Sequence, residues 1–254
     1  MFCVFPVLFP LPPFQDKVAS KSVPGLDAQA RYDLQGEVTF IPQWALPFRS
    51  LYAGLNSYPS HGSSAGTTVG TLYLGIRPLA NLELYADPEF AWGSSPGSGN
   101  GMAGYPNADL IGQQALNGVP YLARAFVRWR IPLRQGKDLP AGKESVGRAQ
   151  NIIAGKVPQH RIVVTAGKFA ISDIFDVNTY AGNQRTQFIN KGFVNNLAYD
   201  FAEDVRGYDY GAAAALMNPN YSVRVGSFAV PTSPGSTGVT YGAQSHGDQA
   251  EVDL

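Results

Sequence analysis

The sequence predicts an all-β protein, an antiparallel sheet of two-faced strands such as a transmembrane β-barrel or a sandwich contains. Aromatic residues make up 12% of the chain and stand beside 28 glycines and 19 prolines, a usage that suits strands joined by turns better than helices. Apolar and polar residues alternate in one run after another, which is the period of a strand. No run of about eighteen apolar residues occurs, so no transmembrane helix is available. Barrel strands escape such a scan, because lipid-facing and lumen-facing residues alternate along them.

Residues 1–30 stand apart. MFCVFPVLFPLPPF is apolar, but it has no basic n-region and its prolines oppose a helical h-region. Ala28-Gln29-Ala30 resembles a signal-peptidase site set well beyond the apolar stretch that ends near Phe14. The segment is taken as an N-terminal extension, with a degenerate signal peptide as the alternative, and residues 31–254 as the folded domain.

From Arg31, Tyr32, Leu34, Val38 and Phe40 share one face, while Arg31, Asp33, Gln35, Glu37 and Thr39 share the other. Residues 42–68 read as a long glycine- and serine-rich connection. Residues 71–79 and 81–92 read as a hairpin with Leu72, Leu74, Ile76, Leu82, Leu84, Ala86 and Phe90 on its apolar face. Its polar face carries Tyr73, Arg77, Tyr85 and three acids, Glu83, Asp87 and Glu89. After a loop over residues 93–116, residues 121–133 alternate again. Tyr121, Ala123, Ala125, Val127, Trp129 and Ile131 oppose Leu122, Arg124, Phe126, Arg128 and Arg130. Tyr121 and Trp129 at the ends of the apolar face fit interfacial girdles better than a sandwich core.

Residues 137–160 read as a polar connection without periodicity. A strand follows from Arg161, with Ile162, Val164 and Ala166 opposite Val163 and Thr165. Residues 170–204 are too long for an ordinary connection and read as an ordered, functional insert. Strand pattern resumes at Arg206, and Asn218-Pro219-Asn220 marks a tight turn into Tyr221, Val223 and Val225. Residues 231–245 read as a loop, and residues 246–254 as a last strand with Ala250, Val252 and Leu254 on one face. About eight strands result. An eight-stranded closed barrel would have an interior filled by side chains, with no room for the insert, so the expectation is an incomplete sheet, a half-barrel fragment truncated at its C-terminal end.

Function classes narrow by exclusion. Lysine plus arginine and aspartate plus glutamate balance at 19 each, so no nucleic-acid partner is indicated. The single cysteine, Cys3, excludes a disulfide framework and a four-cysteine zinc site. His61, His160 and His246 lack triad partners, and no Walker loop, G-x-S-x-G elbow or dinucleotide fingerprint is present, so no enzyme and no cofactor are expected. Asp173 and Asp176 are spaced as turn formers more than as a glycosidase pair. The chemistry lies in two facing rows, Glu83, Asp87 and Glu89 against Arg124, Arg128 and Arg130. They line a polarised lumen, or else pair across strands to hold the sheet.

TAGKFAISDIFDVNTYAGNQRTQF (165–188) followed by NNLAYDFAEDVRGYDYGAAAAL (195–216) resembles the central signature of the carbohydrate-selective porin family (OprB type). The elements AGKF, D-I-F-D-x-N-x-Y-A, R-T-Q-F and Y-D-x-A-x-D-x-R-G-Y stand in the same order. Weaker likeness runs through QGEVTFIPQ, YAGLNSY, ELYADPEFAWG and YLARAFVRW upstream and SVRVGSFAVP and HGDQAEVDL downstream, covering residues 31–254. The resemblance implies a sixteen-stranded outer-membrane barrel for passive diffusion of sugars and polyols, with ion transport alongside, outer-membrane lipid as partner and homo-oligomers admitted. It also implies that the insert, with Asp173, Asp176, Asn178, Arg185 and Gln187, folds back against or into the lumen, Asp204 and Arg206 anchoring its return. A soluble or surface-attached sandwich that binds carbohydrate is the alternative.

Overall fold

The structure is a computed structural model that describes residues 30–52, 54, 57–99, 104–109, 116–133, 143–196 and 201–254. Of the N-terminal extension, residues 1–29 lie outside them. Eight strands form one antiparallel sheet: β1 (Tyr32–Ala45), β2 (Ser63–Leu79), β3 (Leu82–Gly93), β4 (Tyr121–Pro132), β7 (Arg161–Phe169), β8 (Asp209–Asn218), β9 (Tyr221–Phe228) and β12 (Gly247–Asp253). Each pairs with its neighbours in that order. Two small hairpins interrupt the meander, β5 (Lys143–Val146) with β6 (Gly155–Pro158), and β10 (Val230–Pro231) with β11 (Val239–Thr240). The sheet is open, with β1 and β12 as its edges.

The expected all-β antiparallel class is therefore present, with several local corrections. Residues 42–68 are not all loop, because β1 continues to Ala45 and β2 begins at Ser63, fully paired. Pro42 in β1 and Gly66 in β2 concealed those strand ends, and a Cβ at Gly66 would lie 3.3 Å from the Phe40 ring of the neighbouring strand. Strand β8 starts at Asp209 and not at Arg206. Asp204 Oδ1 accepts from the backbone nitrogens of Arg206 and Tyr208 at 2.8 and 3.1 Å, and Gly207 has φ 83°, so those residues form a capped turn.

The most consequential correction is at the start of β4. The β3–β4 register shifts between Asp87 and Pro88, so that Asp87 faces Arg124, Pro88 faces Leu122 and Glu89 faces Tyr121. Proline offers no N–H to the ladder, and a bulge is where a sheet accommodates that loss. Tyr121 consequently turns inward and Leu122 outward, the reverse of simple alternation. Tyr121 is no girdle residue.

Short turns at residues 80–81 and 219–220 join strands at one end of the sheet, and the long connections leave β1, β3, β7 and β9 at the other. The outer face carries Leu34, Val38, Leu72, Leu74, Ile76, Leu84, Val223 and Val225, all well exposed. Toward the long-connection end this band gives way to Phe40, Trp44, Phe90, Trp92 and Tyr210, and toward the short-turn end to Tyr32, Trp129 and Tyr221.

The core lies on the inner face, beneath the insert. Tyr85, Phe126, Phe169, Ala213 and Phe228 from the sheet meet Ile171 and Phe175 of the insert and Ile153 of the β5–β6 hairpin. The rings are chained: Tyr85 stacks on Phe126 at 4.9 Å, and Phe126–Phe169, Phe169–Phe228 and Phe175–Phe228 meet edge-on at 5.8–5.9 Å. Each such pair adds about 0.5–1.5 kcal/mol to the burial of its rings. The insert is thereby packed onto the sheet.

Candidate functional site on the inner face

Register brings the two charged rows together, because Glu83 is the cross-strand partner of Arg128, and Asp87 that of Arg124. The six predicted pore-lining residues do share the inner face, yet all are buried, Glu83 and Asp87 at 0% exposure. They form three clusters.

At the short-turn end, Glu83 gathers arginines. Arg77 donates to its Oε1 from Nε at 3.1 Å and Nη2 at 2.6 Å, Arg130 forms a close ion pair with Oε2, and Arg128 stands 4.0 Å away. Tyr85 also donates to it at 2.7 Å. Two of these arginines also clamp the β5–β6 hairpin. Arg77 donates to the carbonyl of Ile153 and Arg128 to that of Asn151, both at 2.8 Å.

In the middle, Arg124 holds Asp173 and lies 3.7 Å from Asp87. Asn151 Nδ2 donates to Asp87 Oδ2 at 2.7 Å. Gln150, with its amide oxygen turned toward Arg124, accepts from both terminal nitrogens at 3.3 Å.

Toward the long-connection end, Glu89 accepts from four groups. Tyr121 donates at 2.5 Å, Tyr208 at 3.0 Å, Arg185 of the insert at 3.1 Å, and Thr71 through a short bond. Arg185 also donates to Asp109 at 2.8 Å and Thr71 at 2.9 Å. Burial by itself would lower the Arg185 guanidinium, but Asp109 and Glu89 hold it well above its ordinary value. For Asp109 burial is the stronger influence and pushes the carboxyl up, against the pull of Arg185. Asp109 and Glu89 together hold Arg185 in place, with Thr71 accepting a further bond.

The other residues singled out in the insert shape it from within. Asp176 accepts from Asn196 N at 3.0 Å and Nδ2 at 2.9 Å, and its own N–H donates to Glu251 of β12 at 2.6 Å. Asn178 Oδ1 caps Tyr180 and Ala181, Gln187 bonds to Asn183 and Thr179, and Asp204 caps the turn that returns the chain to the sheet. Arg206 stacks on Tyr121, with Cζ 3.9 Å from the ring centroid.

Sequence reading missed Arg77, Tyr121, Tyr208 and Asp109 as members of the clusters. It also read residues 137–160 as plain loop. They include a hairpin whose tip enters the inner face, with Asn151 in a left-handed conformation (φ 54°) and Ile152 and Ile153 buried. The pair of isoleucines beside an asparagine, in an otherwise polar connection, was the available signal.

Between insert, hairpin tip and sheet lies a cavity of about 340 Å³, walled by Arg124, Gln150, Asn151, Asp173, Arg185 and Arg206 among others. Its walls come from both ends of the sheet. Among the described residues no group of three or more His, Cys, Asp or Glu could hold a metal ion. No family model, no curated protein and no solved structure matches the chain.

Proposed function

We propose that the chain forms wall and constriction of an outer-membrane β-barrel through which sugars and polyols diffuse passively. The observation that carries this reading is the outer face, an aliphatic band between two rows of aromatic side chains, on a sheet whose polar groups point the other way. A lipid-facing band flanked by aromatic girdles has that form. A carbohydrate-binding sandwich would bury its apolar face against a second sheet. Among the described residues the outer face is uncovered, Leu34 being 63% and Val38 68% exposed.

The inner arrangement supports a constricted water path and not an open one. The insert enters from one end and the hairpin tip from the other, and both are bonded to charged strand residues. Neutral polyols can exchange water for the donors and acceptors of such a path at small net cost. Closure in lipid requires strands added at both open edges, since unpaired backbone groups are not tolerated in hydrocarbon. The resemblance to sixteen-stranded porins accounts for such strands.

Two measurements test the reading. The assembled barrel that contains this chain is expected in the outer-membrane fraction with heat-modifiable migration, and proteoliposomes of that barrel are expected to swell in sugars and polyols. Recovery as a soluble protein, or vesicles that remain sugar-tight, would overturn it.

A further inference from the structure

The strand arginines Arg77, Arg124, Arg128, Arg130, Arg161 and Arg224 each have a carboxylate within 4.0 Å, as does Arg185 of the insert. Arg206 differs. It lines the cavity, and among the described residues no carboxylate pairs with it. Its Nε is buried without an acceptor. Its plane is nonetheless fixed, because the guanidinium lies on the ring of Tyr121, which is itself held by Glu89 at 2.5 Å. A guanidinium immobilised on an aromatic face, with no ion pair of its own within 4.0 Å, is ready to take a carboxylate in two parallel bonds.

A second observation comes from the hairpin tip. Asn151 is 5% exposed and lines the same cavity, and its Oδ1 is buried with no hydrogen-bond partner. A buried acceptor left open is costly unless something donates to it. The Gln184 amide and the Lys191 ammonium lie on the same wall. The cavity's acids and bases balance in number, and what it offers is one guanidinium outside the ion pairs, Arg206, and an unfilled acceptor for a hydroxyl.

Resting on the reading as a sugar channel, we infer that this cavity is a binding site for monoanionic sugar acids, aldonates and uronates. Arg206 takes the carboxylate, and Asn151 accepts from a hydroxyl. Neutral sugars lack the group that Arg206 selects.

Equilibrium dialysis of labelled gluconate and glucose against the full chain refolded in detergent tests the site, with R206Q and R206K alongside. The wild-type chain is expected to retain gluconate in preference to glucose. R206Q is expected to lose gluconate affinity by about fivefold or more, with glucose unchanged, and R206K to recover part of it. Added salt should weaken gluconate retention alone. Equal gluconate retention by wild type and R206Q, no retention by wild type, or parallel loss of glucose in R206Q would each overturn the assignment. Sugar flux separates the two readings. Neutral-sugar passage without gluconate binding sinks this inference alone, whereas gluconate binding without any sugar passage sinks the channel.

Discussion

Arg124 of β4 grips Asp173 of the insert with two parallel hydrogen bonds, Nε to Oδ2 at 2.7 Å and Nη2 to Oδ1 at 3.0 Å. Its remaining terminal nitrogen lies 3.7 Å from Asp87 of β3, and the Gln150 amide approaches from the hairpin that rises at the opposite end. One guanidinium therefore ties two strands to two inner segments. Its position follows from the β3–β4 register, which runs unbroken from Leu82–Trp129 to Asp87–Arg124 and shifts only beyond that pair, at Pro88.

Replacing Asp173 by Asn keeps the volume and removes the charge. The Asp173 side chain is 27% exposed, so the loss is expected to weaken insert docking by about 1.5–3 kcal/mol without unfolding the sheet. Limited proteolysis with mass spectrometry should then find new cleavage between Val177 and Phe193, while the strands stay protected. An insert as resistant as the wild-type one would show that the pair does not hold it.

Glu83 is more deeply committed. Glu83→Leu leaves Arg77, Arg128 and Arg130 without their common carboxylate in a buried site, and removing one partner from such a cluster costs about 3–5 kcal/mol. Urea unfolding followed by tryptophan fluorescence is expected to show that loss. A variant as stable as wild type would mean that water or other residues replace Glu83.

How much of this was legible in the sequence follows from what alternation reports. A period of two says which side chains share a face, so the sequence alone put Glu83, Asp87, Glu89, Arg124, Arg128 and Arg130 on one side. It does not say how near they lie. Alternation is compatible with lumen lining and with cross-strand pairs alike, and the structure has the rows paired and buried, because register sets Glu83 against Arg128 and Asp87 against Arg124. Tyr121 was misplaced because the bulge depends on Pro88 of another strand. Asp109 and Asn151 lie in connections without periodicity, and their partners Arg185 and Asp87 are far off in sequence. No local pattern encodes such contacts.

Val127 lies on the outer face between Arg128 and Phe126, which point inward. If that face meets lipid, Val127→Arg in the assembled barrel is expected to cost about 2–4 kcal/mol near the bilayer midplane. Equilibrium unfolding in lipid vesicles measures it. A cost under about 1 kcal/mol would place Val127 at a wet surface or near the membrane boundary.

The central claim is that the outer face meets lipid and the inner face does not. With Cys3 replaced by serine, single cysteines at Leu72, Leu74, Leu84 and Val127 can carry spin labels in the assembled barrel in lipid vesicles, with Ser172 and Gln184 as inner controls. Power saturation compares collision with oxygen, which concentrates in hydrocarbon, against a water-soluble nickel chelate. The account requires the four outer labels to favour oxygen and the inner two to favour nickel. Outer labels that collide with nickel as often as the inner ones, or that are shielded from both reagents, would contradict it.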